Sequence, residues 1–267
     1  NRVRRQRQMC IRDSNNIPSN IFEWTYDGTS PGMTISSSTV GTGDTSNDTT
    51  IALQFQSTEE TDNFEVGDIT VSNGSLGTLS NPSGDNRTFN AVFTPAGDGL
   101  CQISVAKDKF TDAAGNNNTV SNTFQWTYDG TGPTLTQVTP VGTLIDGVYR
   151  TNDTTPTYVF SCGESNCEIS ASDRTLSTIN GNPFVSFPVA INNGNNTIVF
   201  ATLDGDAGKR GTEYPTNNNG ITVQDAIGNN TTIQVNTFTI DTIAPVIEQV
   251  TAISTTNNSP IYVFKSD

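Results

Sequence analysis

The residues best suited to chemistry in this 267-residue chain are oxygen donors set around glycines. Asp112-Ala-Ala-Gly-Asn116 is echoed by Asp225-Ala-Ile-Gly-Asn229. A second phrase, Phe22-Glu-Trp-Thr-Tyr-Asp-Gly-Thr-Ser-Pro31, returns 102 residues later as Phe124-Gln-Trp-Thr-Tyr-Asp-Gly-Thr-Gly-Pro133, so that Asp27 and Asp129 hold the same place in it. Carboxylate and amide oxygens are ligands for hard cations such as Ca²⁺. The same residue types also build turns by bonding their own backbone, with the glycine supplying a positive φ. The sequence is compatible with both. It contains no histidine, which removes His-based triads, imidazole acid–base catalysis and His metal ligands. No phosphate-cradling glycine loop precedes a helical pattern, and a carboxylate-pair glycosidase would need a substrate cleft for which small domains leave little room. Enzymatic activity is not expected.

Two further reactive residues, Cys162 and Cys167, flank Gly-Glu-Ser-Asn just after the apolar run Tyr158–Phe160. A hairpin there would pair them across one ladder, and a local disulfide is expected if their Cα atoms come within about 4.4–6.8 Å. Such a bridge would indicate an oxidising, extracytoplasmic setting. The spacing is not that of a CxxC metal or redox site. Cys101 shares a strand face with Ile103 and Val105 and reads as a small buried apolar residue.

The elements that must position these residues are strands. Ile51-Leu53-Phe55, Phe89-Ala91-Phe93, Cys101-Ile103-Val105 and Ile198-Phe200 keep apolar groups on one side of a pleat. Asn73-Gly, Pro82-Ser-Gly84, Gly97-Asp-Gly99 and Asn192-Asn-Gly194 carry turn chemistry between them. No helical periodicity of useful length occurs. Phe22, Trp24 and Tyr26 alternate, as do Phe124, Trp126 and Tyr128, and both sets are expected to pack in a core or a junction. Asn118 and Asn196 are expected in solvated polar strands and loops.

Other landmarks recur in the same order: Asn47-Asp-Thr-Thr50 as Asn152-Asp-Thr-Thr155, and Asp153-Thr-Thr-Pro-Thr-Tyr-Val-Phe160 as Asn257-Asn-Ser-Pro-Ile-Tyr-Val-Phe264. The period exceeds the roughly 20–50 residues of solenoid repeats, so each unit is expected to be a complete small domain, an all-β sandwich of several short strands. The expected divisions are a foreign leader at 1–14, the last strand of a preceding unit at 15–28, one repeat at 29–130, a second at 131–243, and the truncated start of a third at 244–267. Both ends read as cuts in a longer protein. The leader holds five of the 13 basic residues and resembles a translated sequencing-adapter scar; a basic nucleic-acid-binding or targeting arm is the alternative. Leaving it out moves the net charge from −14 to −18, eight basic against 26 acidic residues. A surface of that sign repels nucleic acid and anionic lipid and suits cations.

Taken together, the Asp-Ala-x-Gly-Asn turns, the run Asp68-Ile-Thr-Val-Ser-Asn-Gly74 and the Asp-x-x-x-Pro linkers resemble bacterial immunoglobulin-like repeats of large surface adhesins and biofilm-associated proteins. The resemblance implies tandem Greek-key β-sandwiches, beads on a string, in which the chain enters at the end carrying the B–C and F–G loops and leaves at the other. It then implies that Asp129 meets Glu164, Asp225 and Asn229, that Asp27 meets Glu59 or Glu60, Asp112 and Asn116, and that Asp241 meets Asp267. Asp48 and Asp153, at the far end, are lesser ligand candidates. A Ca²⁺ ion at each junction would compensate the gathered charge, as in calcium-stiffened adhesin arrays; no organic cofactor is implied. The expected role is a non-catalytic spacer or stalk at the bacterial surface or outside the cell, with neighbouring units as partners and no nucleic acid or membrane insertion. The alternatives are a module binding a glycan or surface protein, through the part of the longer insertion (Asp204–Asn219) between Asp204 and Tyr214, and an accessory domain of a secreted hydrolase.

Overall fold

The alternating runs become strands whose apolar sides face one another in two separate cores. The computed structural model describes residues 20–172, 176–183, 186–201, 212–214, 220–244, 247–249 and 264–266, and the last two and 212–214 by their backbone alone. The leader, Asp267 and nearly all of the insertion 204–219 lie outside the described residues. Among those described there is no α-helix, only a 3-10 turn at Val66–Asp68, and no helix long and apolar enough to cross a membrane. The chain is all-β.

The first sandwich contains β1 (Met33–Ser37), β2 (Thr45–Ser46), β3 (Ile51–Ser57), β4 (Ile69–Ser72), β5 (Gly74–Leu76), β6 (Thr88–Pro95), β7 (Gly99–Val105) and β8 (Phe124–Tyr128). They form one sheet in the order β1-β3-β6-β5 and a second in the order β2-β8-β7-β4. β3 alternates strictly, with Ile51, Leu53, Phe55 and Ser57 inward, and is paired on both sides, by β1 and β6. Phe89, Ala91 and Phe93 of β6 and Cys101, Ile103 and Val105 of β7 complete the facing surfaces. Trp126 is the largest side chain of this core and sits edge-on to Phe93 at 5.0 Å between ring centroids.

The second sandwich runs through β9 (Leu135–Thr139), β10 (Thr143–Ile145), β11 (Val148–Thr151), β12 (Thr157–Cys162), β13 (Glu168–Ser172), β14 (Leu176–Ile179), β15 (Asn182–Pro183), β16 (Val189–Ala190), β17 (Gly194–Phe200), β18 (Thr212–Tyr214), β19 (Gly220–Gln224), β20 (Asn230–Gln234) and β21 (Phe238–Ile240). Its sheets are ordered β15-β14-β17-β12-β9, β16-β13-β19-β20 and β10-β11-β21-β18, and its core is drawn from Val141 to Ile240. A final pair, β22 (Ile247–Gln249) with β23 (Phe264–Ser266), is antiparallel.

The two sandwiches share one device for changing sheets. Asn122 accepts the Ile35 N–H and donates to the Ile35 carbonyl; Asn236 does the same to Val141. One side chain thereby satisfies both backbone groups of Ile35, in the edge strand β1, and likewise of Val141, between β9 and β10. The short β2 and β11 then pair parallel with β8 and β21.

Three expectations change here. Asn118 and Asn196 are not solvated; they are 2% and 0% exposed. Asn118 accepts the N–H groups of Lys109 and Phe110 and donates to the carbonyls of Ala106 and Thr119, so it is the hub of a loop. Asn196 does likewise for the turn at Asn192–Gly194. The amide of asparagine carries two donors and two acceptor sites, which suits a buried turn with stranded peptide groups. Phe22, Trp24 and Tyr26 are exposed, Trp24 at 71%, whereas its counterpart Trp126 is fully buried. The strand sequence is nearly the same; what differs is that no sheet among the described residues receives the first copy. Lastly, Cys162 and Cys167 are buried and their side chains interact, but they do not face each other across one ladder. Cys162 ends β12 in one sheet and Cys167 precedes β13 in the other.

Trp126→Ala should therefore cost about 3–5 kcal/mol, the usual range for emptying a large aromatic site, read as a fall in the denaturation midpoint of the first sandwich. Trp24→Ala should leave that midpoint in place. Equal losses in the two variants would contradict the burial described.

Candidate functional site

The functional candidate is the end of each sandwich where the chain enters. It is built from a turn that wires itself. In the loop between β7 and β8, the Asp112 carboxylate accepts the Asn116 N–H at 2.8 Å and the Asn116 side-chain N–H at 2.9 Å, and Gly115 closes the turn at φ +92°. Between β19 and β20, Asp225 accepts the N–H groups of Ile227 and Asn229 and the Asn229 side-chain N–H, each at 2.9 Å, with Gly228 at φ +94°. The backbone bonds Asp112 N–H to Asn116 O and Asp225 N–H to Asn229 O match as well. The aspartates are almost buried, at 7% and 6% exposure. Turn chemistry thus accounts for the Asp and the Gly of this motif and for part of what the Asn does.

The asparagine does more. Its Nδ2 also donates to the linker: Asn116 to the Asp27 carbonyl at 3.2 Å, and Asn229 to the Asp129 carbonyl at 2.8 Å. Since a carboxylate and a carbonyl are acceptors only, it is the NH₂ group that faces them. The two asparagines expected to offer oxygen thus direct their nitrogen at the linker.

Carboxylates gather closely beside the first turn, and beside the second their charges act on one another. Asp27, Glu59 and Asp112 have oxygens within 4.8 Å of one another. Partial burial, then the charges of Asp27 and Asp112, push Glu59 above its ordinary value. Asp112 is held low, chiefly by the Asn116 amide. In the second sandwich Glu164 is raised by partial burial, then by Asp129 and Asp225. Glu59 takes the first position; Glu60 points to solvent, 3.8 Å from Arg87. Asp241 accepts the Ile243 N–H, and its proposed neighbour Asp267 falls outside the described residues. Asp48 and Asp153 are engaged in their own turns with Ser46 and Thr155.

Two contributors escaped the sequence reading. Asp98, in the β6–β7 turn, accepts the Gly130 N–H at 2.7 Å and so fixes the linker from the first sandwich. Bonds from Thr131 and Gly130 hold its carboxyl low. Asn47 reaches the second sandwich, bonding Ile227 O at 3.0 Å and Asn229 Oδ1 at 3.1 Å. Recurrence of Asn47 as Asn152 was the available signal for the latter; for Asp98 there was none.

Residues 27–128 match the bacterial Ig-like domain family. A comparison with curated proteins gives no match. Among solved structures, the chain is similar to the Yersinia pseudotuberculosis adhesin InvE at 13% identity and a TM-score of 0.27, covering 79% of this chain and 58% of that one. It is similar to the D00-D0 domain of intimin at 14% identity and a TM-score of 0.34, covering 78% and 98%, and to the Escherichia coli adhesin FdeC at 9% and 0.35, covering 79% and 63%.

The shifted carboxyls give a signed pH dependence. Glu59 and Glu164 lie above the ordinary 4.5, so the folded chain takes up their protons more readily than the unfolded one. Their favourable contribution is complete below 4.5 and is lost as pH rises through the raised values. Asp85, Asp98 and Asp112 lie below the ordinary 3.8, and their contribution is lost as pH falls beneath it. In metal-free buffer the melting temperature should rise from pH 7 toward 4.5 and fall below 3.8. Glu59→Gln with Glu164→Gln should flatten the first limb and leave the second; an undiminished first limb would refute the assignment.

Proposed function

We propose, from residues 27–128 being a bacterial Ig-like domain and a second β-sandwich following them directly, that this chain is a non-catalytic spacer from a bacterial surface adhesin. The observation that carries the reading is the passage through Asp129. The last core strand of the first sandwich, β8, becomes the linker without an intervening flexible segment. The Asp129 N–H is bound by Ser46 O of the first sandwich, and its carbonyl by Asn229 of the second. A binding module would be served by one unit; a spacer needs its units held in line, and that is where these polar contacts are placed.

Ca²⁺ is the stiffening ion we infer for the junctions. All donors in each acid group are carboxylates, the hard oxygen set that Ca²⁺ takes at about 2.3–2.6 Å. Asp27, Glu59 and Asp112 would hold it at the first junction, and Asp129, Glu164 and Asp225 at the second. The raised Glu59 and Glu164 fit the assignment: partial burial and then the neighbouring carboxylates disfavour their charge, which a cation or a proton would compensate. When bound, the ion would supply charge compensation and a tie between linker and loops.

Thermal unfolding with and without millimolar Ca²⁺ tests this. A cation at 100 times its dissociation constant adds about 2.7 kcal/mol. Glu164→Gln should lose much of the Ca²⁺ increment while melting no lower than wild type in chelator, since it also removes a repelling charge. A wild-type midpoint that ignores Ca²⁺ would overturn the metal assignment and leave the spacer reading standing.

A further inference from the structure

Two recurring phrases, Asn-Asp-Thr-Thr and Asp-Ala-x-Gly-Asn, are only partly accounted for by turn formation and by the carboxylates. Their asparagines meet across the junction. We propose that the phrases are the two halves of one metal-free lock between successive Ig-like units, with Asn47 as the donor and the loop ending in Asn229 as its receptor.

The bonds form a closed relay. Asn47 Nδ2 donates to Ile227 O and Asn229 Oδ1, 180 and 182 residues further along. Asn229 Nδ2 donates in turn to Asp225 Oδ2 and to the linker carbonyl of Asp129. The Asp129 N–H returns to Ser46 O, next to Asn47. The linker residue Asp129 is thereby gripped at its N–H by one unit and at its carbonyl by the other, and Asn47 ties the two grips together. Rotation about the linker cannot occur without breaking several of these bonds, and both asparagines are half-buried, where an unmade bond is costly.

Each unit carries both halves. Asn152 follows β11 as Asn47 follows β2: each of these strands pairs parallel with the last strand of its sandwich, and Thr151 O accepts the Asp241 N–H as Ser46 O accepts that of Asp129. Asn152 is exposed and fits the Asp-Ala-x-Gly-Asn loop of another such unit. At the opposite end, Asn116 already makes the two receptor bonds, to Asp112 Oδ2 and the Asp27 carbonyl. Among the described residues no donor occupies its Oδ1. The partner that fits is thus a further Ig-like unit offering an asparagine just after its short parallel strand. Lock and receptor lie at opposite ends, a head-to-tail arrangement that extends along a line.

The inference rests on the spacer reading, and one measurement separates the two. In the whole chain, with chelator present, ¹⁵N relaxation of the two sandwiches should fit a single anisotropic tumbling tensor. Asn47→Ala should split it into two, with amide shifts in both cores unchanged. Asn229→Ala should do the same, and the double variant should add nothing further. A wild type that already tumbles as two independent bodies would overturn the rigid spacer itself. A coupled wild type whose Asn47→Ala variant stays coupled would overturn the lock alone. Should Asn229→Ala disturb its loop, Asn47→Asp supplies a second reading: a carboxylate facing Ile227 O and Asn229 Oδ1 should uncouple the units at least as fully, and retained coupling would count against the lock.

Discussion

A nearly buried carboxylate must have its lone pairs occupied, and everything at the junction follows from how Asp112 and Asp225 meet that requirement. Each is satisfied within four residues, by peptide N–H groups of its own turn and by the side-chain amide of Asn116 or Asn229. Bonds to an ionised acceptor are the strong class, so they fix the asparagine rotamer along with the turn. A fixed rotamer leaves one amide hydrogen free for the linker carbonyl. Linker capture is therefore a consequence of burying the aspartate, and the linker in turn carries Asp27 or Asp129 to the acid group.

Attraction and repulsion are arranged in different bonds. Hydrogen bonds hold the backbone of the linker, while like charges oppose each other at the carboxylate tips. The tip that yields is the glutamate, since Asp112 is anchored by donors and Glu59 has none comparable. The peptide contacts keep the geometry in place whatever the state of Glu59 and Glu164, so protonation of a glutamate or a cation tunes the joint without having to create it.

The sandwich was legible from alternation because each centre strand states its buried side locally: Ile51, Leu53 and Phe55 need no partner to be named. The closeness of Asp27, Glu59 and Asp112 was expected from the topology that the family resemblance implies, together with recurrence. Other features depend on what lies across space and have no local mark. Trp24 and Trp126 stand in almost the same words and differ completely in burial. Asn118 reads as a polar loop residue, yet it is buried because the chain around it leaves peptide groups unpaired. Cys162 and Cys167 look like a hairpin pair, but the chain between them crosses from one sheet to the other, and no periodicity announces a crossover.

The self-wired turn also limits what an ion could take from it. A carboxylate offers roughly four lone-pair sites. At Asp225, Oδ1 already accepts two N–H groups and Oδ2 accepts one, which leaves a single site, on Oδ2. Asp225 could thus serve a cation through one oxygen only. The greater share of any coordination would fall to Glu164, which reaches in from the second sandwich, and to Asp129, which arrives with the linker. Asn229 would take no part: its nitrogen is committed to the linker and Asp225, and its oxygen to Asn47. Loop, linker and lock are then complete before any ion is considered, and the ion would bind to a site whose shape the amides have already set.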